Sequence, residues 1–131
     1  MQSLSSDTLQ ITLTTLEDIK ASISQLQEWN KDVVNFACLE DDSAGLKTLA
    51  ADAMLIEAIG EGIKQIDQRT QGKLLIKCPE IPWHSVIGIR NVIAHGYFDV
   101  DSVVLGDVIR NDLEPLDNAI DKLINIVKSY I

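Results

Sequence analysis

The chain has little of what most enzymes display in sequence. It has two cysteines, Cys38 and Cys78. They lie far apart, with neither the short spacing of a zinc site nor the context of a disulfide framework, so both are expected to be reduced thiols, structural or incidental. There is no glycine-rich phosphate loop, no His-Glu-x-x-His, and no serine or cysteine set beside a base. No apolar run approaches the roughly 20 residues of a membrane-spanning helix. Residues Met1–Asp7 lack the basic start and apolar core of a signal peptide, so a cytoplasmic protein with no membrane association is expected. Positive charge is scarce as well: 11 basic residues stand against 20 acidic ones, a net charge of −9. That excludes a broad basic surface for nucleic acid. The imbalance is local, however. Lys73, Lys77 and Arg90 against Glu80 give residues 73–98 a charge of +2, leaving −11 on the remainder. A small positive pocket on an acidic body is the form that polyanion binding can take.

What is present is helix. At 131 residues and 46% hydrophobic, the chain suits a single domain, residues 1–131, with a real core. Leu9, Leu13, Leu16, Ile19, Ile23 and Leu26 recur at spacings of three and four. They predict a first helix over 8–30, capped by Asp7 with Gln10 as the reciprocal partner. Val33–Ala37 extends it or forms a turn of its own. Glu40-Asp41-Asp42-Ser43 is expected to be a solvated acidic turn with Ser43 as the next cap; no histidine or cysteine joins it as a metal site would need. A second helix is predicted over 44–71, ending at Gly72. Gly60 falls on its apolar stripe, which calls for another helix crossing close by. Glu57, Glu61 and Lys64 form a row that is either an exposed salt-bridged edge or a carboxylate orienting a functional cation. Pro79 and Pro82 stiffen the connector Cys78–Trp83. After Asp101 or Ser102 as cap, Ile109, Leu113, Leu116, Ile120, Leu123 and Val127 form a bundle seam, with a kink or restart expected near Asp112–Pro115. No strand pair competes. The expected fold is all-α, an antiparallel bundle of four to five helices.

The chemistry is concentrated in Ile87-Gly88-Ile89-Arg90-Asn91-Val92-Ile93-Ala94-His95-Gly96-Tyr97. Residues 83–95 read as one helix, on which His84, Gly88, Asn91 and His95 share a narrow polar stripe at about 100° per residue. Such a stripe on an otherwise apolar helix must face a cavity, a ligand or a partner chain. A plainer reading makes Gly96 the residue past the helix end and His95 a cap on its last carbonyls. Histidine moves a proton near neutral pH, and arginine offers a fixed charge with a fork that fits phosphate oxygens. Together they suit a phosphodiester, and RNA brings its own nucleophile in the 2′-hydroxyl, so no metal is needed. On a continuous helix Arg90 and His95 would point roughly 140° apart. A two-fold dimer that brings two copies of the stripe together would remedy this.

The segment Glu80–Asp101, with Arg90, His95 and Tyr97 in an Arg-x4-His-x-Tyr arrangement behind an Ile81-Pro82-Trp83 lead-in, resembles the HepT-like (DUF86) branch of the HEPN superfamily. The upstream Ile59-Gly60-Glu61 is similar to a second block of that family, and the likeness covers roughly residues 44–125. It implies a HEPN-like helical domain that acts as a metal-independent endoribonuclease toxin, with paired motifs at a homodimer interface and no cofactor. Arg90 and His95 would be catalytic together with Asn91, and Glu61, His84 and Gly88 would support them. The implied partners are the RNA substrate and a minimal nucleotidyltransferase (MNT) antitoxin that adds AMP to Tyr97, with assembly beyond the dimer left open. Two other readings stay open: a non-catalytic HEPN-type nucleotide-binding or adaptor module for a nucleotidyltransferase, and a purely structural bundle.

Overall fold

A computed structural model describes residues 1–95 and 99–131. Its α-helices are α1 (Ser6–Asn30), α2 (Ser43–Arg69), α3 (Trp83–Ile87), α4 (Ile89–Ile93), α5 (Ser102–Asp107) and α6 (Leu113–Tyr130). The first helix buries the predicted face, Leu9, Leu13, Leu16, Ile19, Ile23 and Leu26, against α2 and α6. Its cap differs from the expectation. Ser5 Oγ accepts the Thr8 N–H at 3.0 Å, so the helix begins two residues earlier and Asp7 moves into the first turn. There its charge still favours the helix N-terminus.

Phe36–Asp41 forms a 3-10 helix, capped by Asn35 Oδ1 on the Ala37 N–H, so the segment after α1 makes its own turn. Asp42, rather than Ser43, caps α2: its Oδ1 accepts the Gly45 N–H at 2.7 Å. The two long helices are antiparallel. Asn30 at the end of α1 reaches Asp52 near the start of α2, while Arg69 at the end of α2 reaches Thr15 near the start of α1.

The Asn30–Asp52 contact is a fully buried polar pair inside this apolar packing. Asn30 Nδ2 donates to Asp52 Oδ1 at 2.8 Å. Among the described residues, Asn30 Oδ1 and Asp52 Oδ2 have no hydrogen-bond partner. Burial pushes the Asp52 carboxyl up to about 6, against the opposing pull of the Asn30 bond. Desolvation penalises the charged form more than one donor can repay.

Gly60 marks the predicted close crossing. A Cβ there would lie 2.9 Å from the Val86 carbonyl oxygen and 3.1 Å from Ile89 Cγ2. Only glycine lets the α3–α4 segment settle on α2. That segment is not the single helix expected over 83–95. It breaks at Gly88, and α4 ends at Ile93. Glycine is the weakest non-proline helix former, and the crossing over Gly60 falls at the same point. Beyond Ile93 the chain turns back on itself. Ala94 and Val100 form an antiparallel bridge, the Asp101 N–H donates to the Ile93 carbonyl at 2.7 Å, and the His95 N–H to the Asp99 carbonyl at 2.9 Å. The returning segment therefore satisfies a carbonyl that the helix end leaves open.

Of the two expected candidates, Asp101 rather than Ser102 caps α5, accepting the Val104 N–H. The expected restart appears as a π-helical turn over Val108–Asp112, after which Pro115 sits in the first turn of α6. Proline offers no N–H to the carbonyl four residues back, and the wider turn just upstream absorbs that mismatch. Every predicted seam residue from Ile109 to Val127 is buried. Cys78 is buried and Cys38 exposed, both as free thiols. Among the described residues, no helix is long and apolar enough to cross a membrane.

Candidate active site

Arg90 projects from α4 toward α2, where Glu57 Oε1 meets its Nε at 3.2 Å. Both side chains remain well exposed, 40% and 54% respectively, so the pair sits at a surface rather than in the core. It stands between two open clefts. One, about 180 Å³, is mostly apolar and is lined by Ala53, Met54, Ile93, Ala94 and Val100 besides the pair. The other, about 200 Å³, is lined by Glu61, Ile87, Gly88, Ile89 and Asn91 besides the pair. A guanidinium in this position can present its fork to an anion while a carboxylate fixes its stem.

The structure brings four of the predicted residues to one cleft: Arg90, Asn91, Gly88 and Glu61. Glu61 lines that cleft, but the ion pair with Arg90 is made by Glu57, one turn earlier. The sequence placed both carboxylates on one face and had no means of choosing between them. The choice depends on the height at which α4 crosses α2, which Gly60 and Gly88 set together.

The stripe expected on a continuous helix does not form. His84 is exposed on α3, on the other side of the Gly88 break, and lines a neighbouring groove. His95 is exposed and extended beyond the end of α4. Its backbone is held in the clasp with Asp99, and the Ala94 N–H, not His95, bonds back to the Arg90 carbonyl. The helix-cap role considered for His95 therefore loses its basis. The 140° separation also loses its force, because the two residues are carried by different backbone geometries. His95 now stands just beyond α4, within five residues of Arg90 in the chain. Tyr97, the expected site of AMP addition, and Gly96, the expected helix terminator, lie outside the described residues.

Among the described residues, no three His, Cys, Asp or Glu side chains cluster as metal ligands would. Glu57 is the residue that sequence reasoning left undecided. Its signal was the shared row with Glu61 and Lys64. The buried Asp52 was missed altogether, although its place between Leu49 and Ile56 on the buried stripe of α2 was a usable signal.

Comparison with known proteins points the same way as the residues. The family described as "Ribonuclease HepT-like" matches residues 19–123. A protein of Thermococcus cleftensis named "Probable ribonuclease HepT" is 34% identical over 108 residues, covering 82% of this chain and 91% of its own. A "Putative RNase" of Methanocaldococcus jannaschii is 25% identical over 107 residues, 79% of this chain and 94% of that one. A longer protein of the same organism, "Gamma-glutamylcyclotransferase and putative RNase", is 32% identical over 110 residues, 82% of this chain and 45% of its own length. No solved structure matches significantly.

Proposed function

Because the chain belongs to the HepT-like ribonuclease family, we propose that it cuts RNA internally, without a metal, as the toxin of a HEPN/MNT toxin–antitoxin pair. The observation that carries this reading is the setting of Arg90. Glu57 holds it at the mouth of an open cleft that Asn91 also lines, and His95 is exposed just beyond the end of α4.

The reaction needs only these groups and the substrate. His95 takes the proton from the RNA 2′-hydroxyl. The 2′-oxygen forms a bond to phosphorus as the bond to the 5′-oxygen breaks. Arg90 meets the negative charge that builds on the non-bridging oxygens, where a preplaced cation is worth most. Asn91 offers an amide to the same phosphate or to His95. The departing 5′-oxygen takes up a proton, and the products carry a 2′,3′-cyclic phosphate and a 5′-hydroxyl. A homodimer with the two motifs facing each other sets Arg90 of one protomer beside His95 of the other in each centre. Control belongs to a minimal nucleotidyltransferase that transfers AMP to Tyr97, adding bulk and negative charge beside the phosphate site.

The test is RNA cleavage in excess chelator, with analysis of the ends. Wild-type protein should leave 2′,3′-cyclic phosphates, and His95→Ala and Arg90→Ala should each fall by about 10²- to 10⁴-fold. A strict metal requirement, or undiminished cleavage by His95→Ala, overturns the mechanism. On coexpression with the partner, peptides containing Tyr97 should gain the mass of AMP; a neutralised complex holding only unmodified peptide overturns this mode of control.

A further inference from the structure

Beside the cleft of Arg90 lies a wider groove of about 340 Å³, between the end of α2 and the start of α3. Ile76, Pro79, Trp83 and Ile87 form apolar walls, and His84 and Asp67 are the polar residues among them. We propose that this groove is a base-binding subsite selective for guanine in the RNA substrate, a proposal that rests on the ribonuclease reading of the neighbouring cleft.

Three observations lead there. First, the walls suit a flat aromatic ligand. Ile76 leaves 71% of its surface exposed, so its apolar side chain is open to a ligand. Trp83 uses its only donor internally, on the Cys78 carbonyl at 2.9 Å, so it meets the groove as a fixed apolar ring. With the His84 imidazole, it provides the stacking surface on which single-stranded bases are usually held.

Second, the polar chemistry is acceptor-rich. Asp67 is half-buried and makes no side-chain hydrogen bond or ion pair among the described residues. A carboxylate offers two acceptors and, when ionised, no donor. Guanine is the common base whose pairing edge presents two adjacent donors, N1–H and the N2 amine. Adenine, cytosine and uracil each set an acceptor beside their donor and would meet the carboxylate with repulsion.

Third, the groove adjoins the reaction site. Ile87 lines both the groove and the cleft of Arg90 and Asn91. Between them stands Gly88, where even an added Cβ would meet nothing nearer than the His84 carbonyl at 3.6 Å. A nucleotide can therefore place its phosphate at Arg90 and the adjoining base in the groove.

The experiment reads binding and cleavage separately. In a Trp29→Phe background, Trp83 is the sole tryptophan, and its fluorescence is titrated with 3′-GMP, 3′-AMP, 3′-CMP and 3′-UMP. The expected result is quenching by 3′-GMP at concentrations at least about tenfold lower than for the others, with that preference reduced to about twofold or less in Asp67→Asn. Cut sites mapped across a random-sequence RNA should show guanine enriched at one flanking position in the wild type and not in Asp67→Asn. Equal response to all four nucleotides, or guanine preference intact in Asp67→Asn, overturns the proposal. Quenching driven by protein concentration alone also overturns it and assigns the groove to a second copy of the chain. Guanine-selective quenching in a protein that cuts no RNA upholds the base site and overturns only the ribonuclease reading.

Discussion

Glu57 Oε1 meets Arg90 Nε at 3.2 Å across the α2–α4 contact, which makes the orientation of the cation a property of tertiary packing rather than of its own helix. The pair is too exposed to matter greatly for stability, since surface ion pairs contribute about 0–1 kcal/mol. Its value is in aiming the guanidinium. Glu57→Gln should leave the melting temperature nearly unchanged and lower kcat by roughly tenfold, with a smaller change in KM. Glu57→Asp should restore part of the loss. Thermal melts and steady-state kinetics on a defined RNA check this; an unchanged kcat in Glu57→Ala would remove Glu57 from the site.

The buried Asn30–Asp52 pair predicts an unusual pH dependence. Asp52 is raised from 3.8 to about 6 by burial. Between those values the unfolded chain gives up the proton that the folded chain keeps, so stability falls as pH rises through this window and levels off above it. Protonation also removes the charge from an Asp52 Oδ2 that is buried without a partner among the described residues. Asp52→Asn should flatten the profile between pH 4 and 6 and stabilise the fold at pH 8 by about 1–3 kcal/mol. Urea denaturation across pH gives both numbers.

Gly60→Ala should disturb the site from a distance. Its Cβ would press on the Val86 carbonyl at 2.9 Å and on Ile89 Cγ2 at 3.1 Å. The cost should be about 1–3 kcal/mol, as for other overpacked contacts. Lifting α3–α4 also separates Arg90 from Glu57, so activity should fall further than in Glu57→Ala. Gly72→Ala is the comparison: no neighbour obstructs it, and its φ of 72° makes the cost one of backbone strain near the end of α2, away from Arg90.

A site shared across a two-fold axis predicts complementation. If one catalytic centre takes Arg90 from one protomer and His95 from the other, then mixing inactive Arg90→Ala and His95→Ala proteins regenerates one intact centre per mixed dimer. Activity should return to about a quarter of wild type at equal mixing, given free subunit exchange. Exchange shown by labelled protomers without any returned activity would place each centre within a single chain.

The sequence by itself determined the helices and their buried faces. The i, i+3, i+4 spacing of leucine and isoleucine in α1, α2 and α6 leaves one way to hide them, and the observed core follows it residue by residue. It also marked Gly60 as a crossing and Asp101 or Ser102 as a cap, because both are local demands on backbone and space. The tertiary structure decided where the polar residues of the motif stand. Read alone, residues 83–95 favour a continuous helix and a stripe through His84, Asn91 and His95. Packed against α2, the same residues break at Gly88 and turn back at Ala94, since the crossing fixes the backbone at Gly60 and the returning segment after Val100 satisfies the open carbonyl of Ile93. Periodicity encodes which side of a helix is greasy. It carries no information on the height at which one helix meets another, and that height set Glu57 rather than Glu61 beside Arg90.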